Sequence, residues 1–451
     1  MIPFALIPRP SLHRLFFHPR SFRRIPRAMS TKSELSSGAS EPVPDGALPP
    51  DNHRIYVLGS GNIGCLVAHS LRCLPAPPPV TLLFHKYSTL QKFISADATI
   101  KIQRPHKELS TSKGFDYELT PAPNVVQEAS NLSDQLPLPP PPPPPLPPQI
   151  AMLIITTKAP QAVAALRPIS ERLTRDSTIL ILQNGMGVLD EIKSEIFPDP
   201  SSRPNFILGI TTHGIYPQGP FTLAHRGLGS ISLGYVQRDV EPSSDSGSWL
   251  FPSLRGSKPS SHTPEDPDKP PPLESLPPTA SYLFSQFLPS PGLAAVHLPL
   301  AELLSAQLEK LAVNAVINPL TVLLDCRNGE LLNNYFAVQT MRIILWEVSQ
   351  VLCALPELEA MPGRDIRLSP DRLYDLVISV ARITGGNYSS MFQDVREGKQ
   401  TEIDYINGYI VERAKKLELA CTMNFMLISL VKGKAKIQRA RAEDAIPFAG
   451  T

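Results

Sequence analysis

RIYVLGSGNIGCLVAHSLRCL, residues 54–74, runs an apolar segment, a glycine turn and a helical segment in direct succession. Residues 54–58 read as a strand, and 65–74 carry apolar side chains at helical spacing. Between them Gly59 permits a tight turn, Gly61 lets a backbone approach a phosphate pair, and Gly64 lets the helix pack closely on the strand. The helix start presents free N–H groups and a partial positive charge to an anion. A bare GxGxxG matches many turns. The strand before it and the helix after it make this one a dinucleotide cradle and predict a Rossmann-type α/β domain.

Outward from this unit, the next strand, 80–84, is where such a fold selects its cofactor. An acid there would bind the ribose hydroxyl of NAD, whereas this strand runs into His85 and Lys86 with no carboxylate nearby, so NADPH is the expected cofactor. Further strands are expected at 99–103, 115–119, 150–155, 178–182, 206–212 and 229–235. Ligands in open α/β sheets sit at the carboxyl ends of strands, which singles out Lys158 after the strand at 150–155 and Asn184 after the strand at 178–182.

Composition divides the rest. The 51 prolines are clustered, and 136–148 is nearly pure proline, fit only for polyproline II outside a sheet. We therefore expect a leader and polar segment over 1–52, a Rossmann-type NADP domain over 53–238 with an insert at about 135–149, a Pro/Ser-rich insert over 239–280, and a helical domain over 281–445. Residues 1–28 hold six arginines, no acid and an apolar side, the composition of a mitochondrial transit peptide; translation from Met29 would give a cytoplasmic protein instead. A formal net charge of +2 argues against a nucleic-acid partner. Five scattered cysteines suit a reducing compartment with neither disulfide nor zinc. No apolar run approaches the ~20 residues that cross a bilayer, so no membrane partner is expected.

In QLEKLAVNAVINPLTVLLDCRNGEL, residues 307–331, Lys310, Asn314 and Asn318 recur at i, i+4 and i+8 with apolar residues on nearly every other side. A lysine enclosed in this way loses part of its preference for the charged form, which suits a proton donor. A lysine snorkelling from a helix edge is the ordinary alternative. Asn318-Pro319 reads as a helix stop, and Asn328-Gly329 as a turn. Farther on, NYSSMFQD (387–394) precedes TEIDYING (401–408), in which Glu402 opens a helix; alone it is an ordinary first-turn carboxylate.

Taken together, GSGNIG after a first strand, LQNGMG, EKLAVNAVINPLTVLL with RNGEL, and SSMFQDV with TEIDYING resemble the ketopantoate reductase (2-dehydropantoate 2-reductase) family over most of 54–430. The resemblance implies a Rossmann-type domain followed by an all-α domain like the C-terminal domain of 6-phosphogluconate dehydrogenase, with the site in the cleft between them. It implies NADPH-dependent reduction of ketopantoate, a small 2-keto acid, in pantothenate and coenzyme A synthesis, and leaves room for a homodimer. Lys310 matches the family's proton donor, with Glu402 beside it in the catalytic set. Asn314, Asn318, Asn328 and Ser390 match substrate-binding positions. Gly59, Ser60, Gly61, Asn62, Ile63, Gly64, Lys158, Asn184 and Gly214 match the cofactor site, and His85 stands where many relatives have arginine, which shifts the 2′-phosphate contact toward Lys86.

The residues support this chemistry directly. Hydride addition to a keto carbon leaves an alkoxide that must be protonated as it forms, which Lys310 can do near neutral pH. Asparagine carboxamides and Ser390 can donate or accept toward substrate oxygens, and Glu402 either orients Lys310 or binds a ribose. Two alternatives share the pattern: a reductase of another keto acid, and a non-catalytic descendant with an organellar assembly or regulatory role.

Overall fold

The computed structural model describes residues 53–104, 108–120, 148–238, 269–359 and 361–444. The expected leader, nearly all of the polyproline insert and most of the second insert lie outside these residues. The chain runs β1 (Ile55–Leu58), α1 (Asn62–Arg72), β2 (Val80–Phe84), α2 (Tyr87–Ser95), β3 (Ile100–Gln103), β4 (Leu109–Ser112), β5 (Asp116–Leu119), β6 (Met152–Ile155), α3 (Ala162–Leu166), β7 (Thr178–Ile181), α4 (Val188–Glu195), β8 (Asn205–Thr211), β9 (Gly214–Gly219), β10 (Thr222–Gly227) and β11 (Ile231–Val236). Then come α5 (Pro278–Phe287), β12 (Ala295–His297), α6 (Leu300–Leu324), α7 (Tyr335–Cys353), α8 (Arg364–Arg367), α9 (Pro370–Ile383), α10 (Ser390–Arg396), α11 (Ile403–Lys416) and α12 (Thr422–Asp444).

The main sheet has the order β12-β11-β8-β7-β6-β1-β2-β5, parallel from β8 through β5, with β11 antiparallel to β8. The strands β1, β2, β6 and β7 are buried on both faces, which is why they read as continuous apolar runs. Strand order reverses at β1, so the glycine turn opens at the switch point where such sheets bind ligands. Alternate residues of β1 serve two cores. Ile55 and Val57 join α1 and α5, while Tyr56 and Leu58 face a core that continues into the helical lobe.

Three expectations change. The segment expected as a strand at 99–103 leaves the main sheet and joins a second one, β4-β3-β10-β9, whose other members carry too little apolar alternation to be read. Its edge strand β9 even contains Pro217, which only an edge tolerates. Next, residues 281–298 belong with the sheet: Thr279 Oγ1 lies 2.8 Å from Thr178 Oγ1, Ala280, Leu283, Phe284 and Phe287 pack into the α1-side core, and β12 pairs with β11. The amphipathic pattern of α5 announces a helix but not the surface it covers, so the helical lobe opens at α6 rather than at 281.

The third change is at Asn318-Pro319, where α6 does not stop but runs to Leu324. A proline in a helix interior leaves the carbonyl four residues earlier without its N–H partner. Here that carbonyl, Ala315 O, accepts from Asn407 Nδ2 of α11 at 2.9 Å, and Asn407 is fully buried. The same Nδ2 donates to Asn424 Oδ1 at 3.0 Å, tying α6, α11 and α12 together. Sixteen buried residues, from Leu303 to Val322, make α6 the axis of the lobe.

Candidate active site

Four carboxyl or amino ends converge on the first half of α6: the ends of β6, β7 and β8 from the sheet and the start of α11 from the helical lobe. The turn after β7 is shaped by that convergence. Gly185 has φ +81°, and a side chain on it would lie 2.6 Å from Tyr405 O of α11; Met186 N also donates to Tyr405 O at 2.9 Å. The glycines of QNGMG thus let the two lobes touch and hold Asn184 at the contact.

Lys310 Nζ donates to Asn184 Oδ1 at 2.8 Å and to Thr211 O, at the end of β8, at 2.7 Å. Asn184 Nδ2 donates in turn to Glu402 Oε2 at 3.3 Å, and Ala159 N donates to Glu402 Oε1 at 3.3 Å. Because a carboxylate can only accept, Glu402 fixes which end of the Asn184 amide faces the lysine. Burial lowers the Lys310 pKa to about 8, and the nearby Glu402 charge works against that fall. Burial also raises the Glu402 carboxyl above its usual range, opposed by the hydrogen bonds from Ala159 and Asn184. An ammonium has three N–H groups, so one of Lys310's remains uncommitted.

Beside Lys310 lies a cavity of about 20 Å³ lined by Gln183, Asn184, Ile210, Gln307, Leu311 and Asn314. It holds one water-sized group, well short of the ~300 Å³ of common small-ligand pockets. Gln183 Oε1 and Gln307 Oε1, both on this lining, are buried without a hydrogen-bond partner among the described residues. Buried orphan acceptors of this kind mark where a ligand hydroxyl or water belongs.

The Lys310-Asn314-Asn318 stripe is not a straight column. Eight residues advance a helix by about 12 Å and turn it by roughly 80°, so Asn318 lies well along α6 from Lys310, and its carbonyl accepts from Thr321 Oγ1 at 2.9 Å. There Thr321 Oγ1 and Ser389 Oγ are 2.7 Å apart, and Ser389 caps α10 by accepting from Phe392 N at 3.1 Å. Ser390, the serine singled out from the sequence, is exposed in the first turn, and Ser389 is the buried one. Beyond α6, Asn328 Nδ2 donates to Thr384 Oγ1 at 2.9 Å, while its Oδ1 is buried without a partner. Its neighbour Gly329 is required: a side chain there would lie 2.8 Å from Gly385 Cα. The structure thus gathers Lys310, Asn184 and Glu402 by direct hydrogen bonds and sets Asn328 and Ser390 in a separate group past the far end of α6.

Lys158, expected at the cofactor, pairs with the buried Asp394 of α10 and donates to Gln400 O at 3.3 Å, so it ties the sheet lobe to the helical lobe. Asp394, Ser389, Gln307 and the Thr211 carbonyl escaped the sequence reading. Asp394 ends the quoted SSMFQD block, but no sequence pattern flags a backbone carbonyl.

In the glycine turn, Gly59 has φ +113° and a side chain there would meet Thr157 N at 2.5 Å; one on Gly64 would meet Gly59 O at 1.8 Å. Among the described residues nothing lies within 4 Å of the position a Gly61 side chain would take, a smoothness that fits an incoming pyrophosphate. Asn62 Nδ2 donates to Ile215 O at 3.2 Å, Ser60 O accepts from Cys65 Sγ at 3.4 Å, and Ile63 packs on the α1-side core, which together seat the turn. His85 and Lys86 are exposed past β2, with His85 below its usual pKa first by burial and then by the Lys86 charge. Gly214 lies against Gly227, 3.2 Å from its would-be side chain, so strand pairing accounts for this glycine.

Residues 55–238 match the family model described as ketopantoate reductase PanE/ApbA, and 302–435 match its C-terminal counterpart. A probable 2-dehydropantoate 2-reductase of Schizosaccharomyces pombe is 30% identical over 398 residues, covering 87% of this chain and 99% of that protein. A ketoisovalerate reductase of Beauveria bassiana is 26% identical over 425 residues, 84% of this chain and 80% of that protein. Among solved structures, D-mandelate dehydrogenase with NADH and anilino(oxo)acetate shares the fold with a TM-score of 0.60 at 20% identity, covering 86% of this chain and 99% of that one. With both lobes matched in order, the chain belongs to the ketopantoate reductase family.

Proposed function

We propose that this protein reduces 2-dehydropantoate to (R)-pantoate with NADPH, in the supply of pantothenate and coenzyme A, and that Lys310 provides the proton. The reading is carried by the Lys310–Asn184–Glu402 chain of hydrogen bonds with one lysine N–H left over. Bound along the glycine turn, reduced nicotinamide supplies hydride to the keto carbon. Lys310, with a pKa of about 8, is mostly protonated at neutral pH and close enough to neutrality to give the proton up. Its uncommitted N–H donates to the keto oxygen and passes the proton as negative charge grows there. The neutral amine keeps two N–H groups, so both of its hydrogen bonds, to Asn184 and Thr211, survive the transfer. Asn184 holds the lysine in place, and Glu402 holds Asn184.

NADPH over NADH is supported by the absence of an acid at the end of β2 and by the exposed Lys86 there. The choice of keto acid rests on hydroxyl recognition. Ketopantoate carries a 4-hydroxyl that ketoisovalerate lacks, and the uncommitted carboxamide of Asn314 and the orphan Gln183 and Gln307 oxygens suit that hydroxyl. A site built for a hydroxyl rejects the analogue without it by up to ~10⁴-fold. The second reading, ketoisovalerate reduction, has the Beauveria relative behind it. NADPH oxidation with each keto acid decides: kcat/KM for ketopantoate should exceed that for ketoisovalerate by at least ~100-fold, and equal values would replace the first reading with the second. A homodimer is part of this proposal.

A further inference from the structure

The carbonyl that holds Lys310 belongs to a peptide unit gripped on both edges. Thr211 O accepts from Lys310 Nζ at 2.7 Å, and the N–H of the same unit, on Thr212, donates to Ser230 O at 3.0 Å. In a planar trans unit these two groups point opposite ways, so the place of Ser230 sets the aim of the carbonyl. Thr212 Oγ1 accepts in turn from Ser230 N at 2.9 Å. The turn that carries Ser230 is pressed onto the end of β8: a side chain on Gly229 would lie 2.4 Å from the Thr212 carbonyl carbon and 2.6 Å from His213 N.

His213, half-buried between β8 and β9, fastens that turn. Its Nδ1 accepts from Gly229 N at 3.1 Å, so that nitrogen carries no proton and Nε2 does. The Nε2 proton goes to Leu293 O, between α5 and β12, at 2.9 Å. His225 Nε2, on β10, lies 3.0 Å from the same Nδ1 and therefore donates to it. Burial lowers the pKa of both rings, that of His225 to about 4 with the His213 and Arg104 charges adding to the fall, so the pair is neutral at neutral pH. The two ring nitrogens of His213 thus do separate things. Nε2 tethers a distant loop, whereas Nδ1 reaches, through Gly229 and Ser230, the peptide unit on which Lys310 hangs.

We infer that His213 is a positioning residue for proton transfer: its Nδ1 holds the Gly229-Ser230 turn against Thr212 N and so keeps Thr211 O on Lys310. The inference rests on Lys310 as the proton donor, so Lys310→Ala is measured beside it. Two amides divide the imidazole between them. His213→Asn sets an acceptor near the Nδ1 position and gives up Leu293, whereas His213→Gln reaches Leu293 O and offers Gly229 nothing. His213→Gln should lower kcat about tenfold with a smaller change in KM. Its alkaline limb should fall about one pH unit below the natural chain's, near pH 8, because the ammonium loses an acceptor that favours the charged form. His213→Asn should keep kcat within about threefold and leave the limb in place. Thr212→Val, at an exposed position and close in size, guards against misfolding of the ring variants; it removes the acceptor for Ser230 N and should move both readouts in the direction of His213→Gln by a smaller amount. Circular dichroism melting establishes that each variant is folded. Natural kcat and an unmoved limb in both His213→Gln and Thr212→Val, with Lys310→Ala slowed, would overturn the inference alone. Loss of kcat in His213→Asn but not in His213→Gln would assign the ring to the Leu293 tether and overturn it as well. A Lys310→Ala chain that turns over at the natural rate would remove the proton donor and the inference with it.

Discussion

Replacing Asn184 with alanine removes the acceptor that holds Lys310 Nζ at 2.8 Å and the donor that reaches Glu402 Oε2 at 3.3 Å. Both partners are ionisable and enclosed, so the loss is of charge-assisted hydrogen bonds, each worth about 1.5–3 kcal/mol. The lysine keeps Thr211 O alone and is free to swing, and the misplacement falls on the transition state, where its proton moves. At 1.36 kcal/mol per tenfold, loss of one such bond in the transition state lowers kcat by roughly 10- to 100-fold. The NADPH dissociation constant should stay within a few-fold, because the glycine turn is untouched. Stopped-flow turnover with ketopantoate and fluorescence titration with NADPH separate the two effects. Asn184→Asp is the companion variant: a carboxylate 2.8 Å from Nζ favours the ammonium, so the alkaline limb of the pH–rate profile should move above the natural chain's, which is expected near pH 8. Natural kcat in Asn184→Ala, with the alkaline limb unmoved in Asn184→Asp, would refute the reasoning.

Three further outcomes are expected. The Lys310 pKa of about 8 lies below its ordinary value of 10.5, so the unfolded chain binds the extra proton between those values and the folded chain gains stability as pH rises from 8 to 10.5; relative to Lys310→Met, the natural chain should gain up to ~3 kcal/mol over that window in urea melts, and a flat difference would deny the shift. Gly61→Ala should fold with unchanged Tm, there being nothing within 4 Å of the new methyl, but bind NADPH at least tenfold more weakly, whereas Gly64→Ala, 1.8 Å from Gly59 O, should be strongly destabilised; calorimetry and titration distinguish them. Asn407→Ala should cost about 1–3 kcal/mol in denaturant melts by orphaning Ala315 O beneath Pro319, and no change would mean that α6 tolerates the proline unaided.

How much of this was legible in sequence follows from where the physics is local. The strands flanking the glycine turn are buried on both faces and so announce themselves as apolar runs, and the turn's glycines answer to contacts a few atoms away. The second sheet was not legible, because LSTS and GIYPQG are its two edge strands and the pairing that joins the halves, β3 with β10, spans more than a hundred residues. The course of α6 was misread at Pro319 for a related reason: the amide that rescues Ala315 O is Asn407, ninety-two positions on. At the site, Asn184 and Glu402 were visible as residues at a strand end and a helix start, and Lys310 as a lone cation within an apolar helix. Their linkage and the tie of Lys158 to Asp394 depend on how two lobes meet, which no local pattern records.

The central claim is that one enclosed amine protonates the oxygen that hydride transfer charges. Single-turnover oxidation of NADPH by ketopantoate, compared between the natural chain and Lys310→Ala, tests it most directly. The account predicts a rate lower by about 10²–10⁴-fold with the NADPH dissociation constant within twofold; a variant that turns over at the natural rate would contradict it.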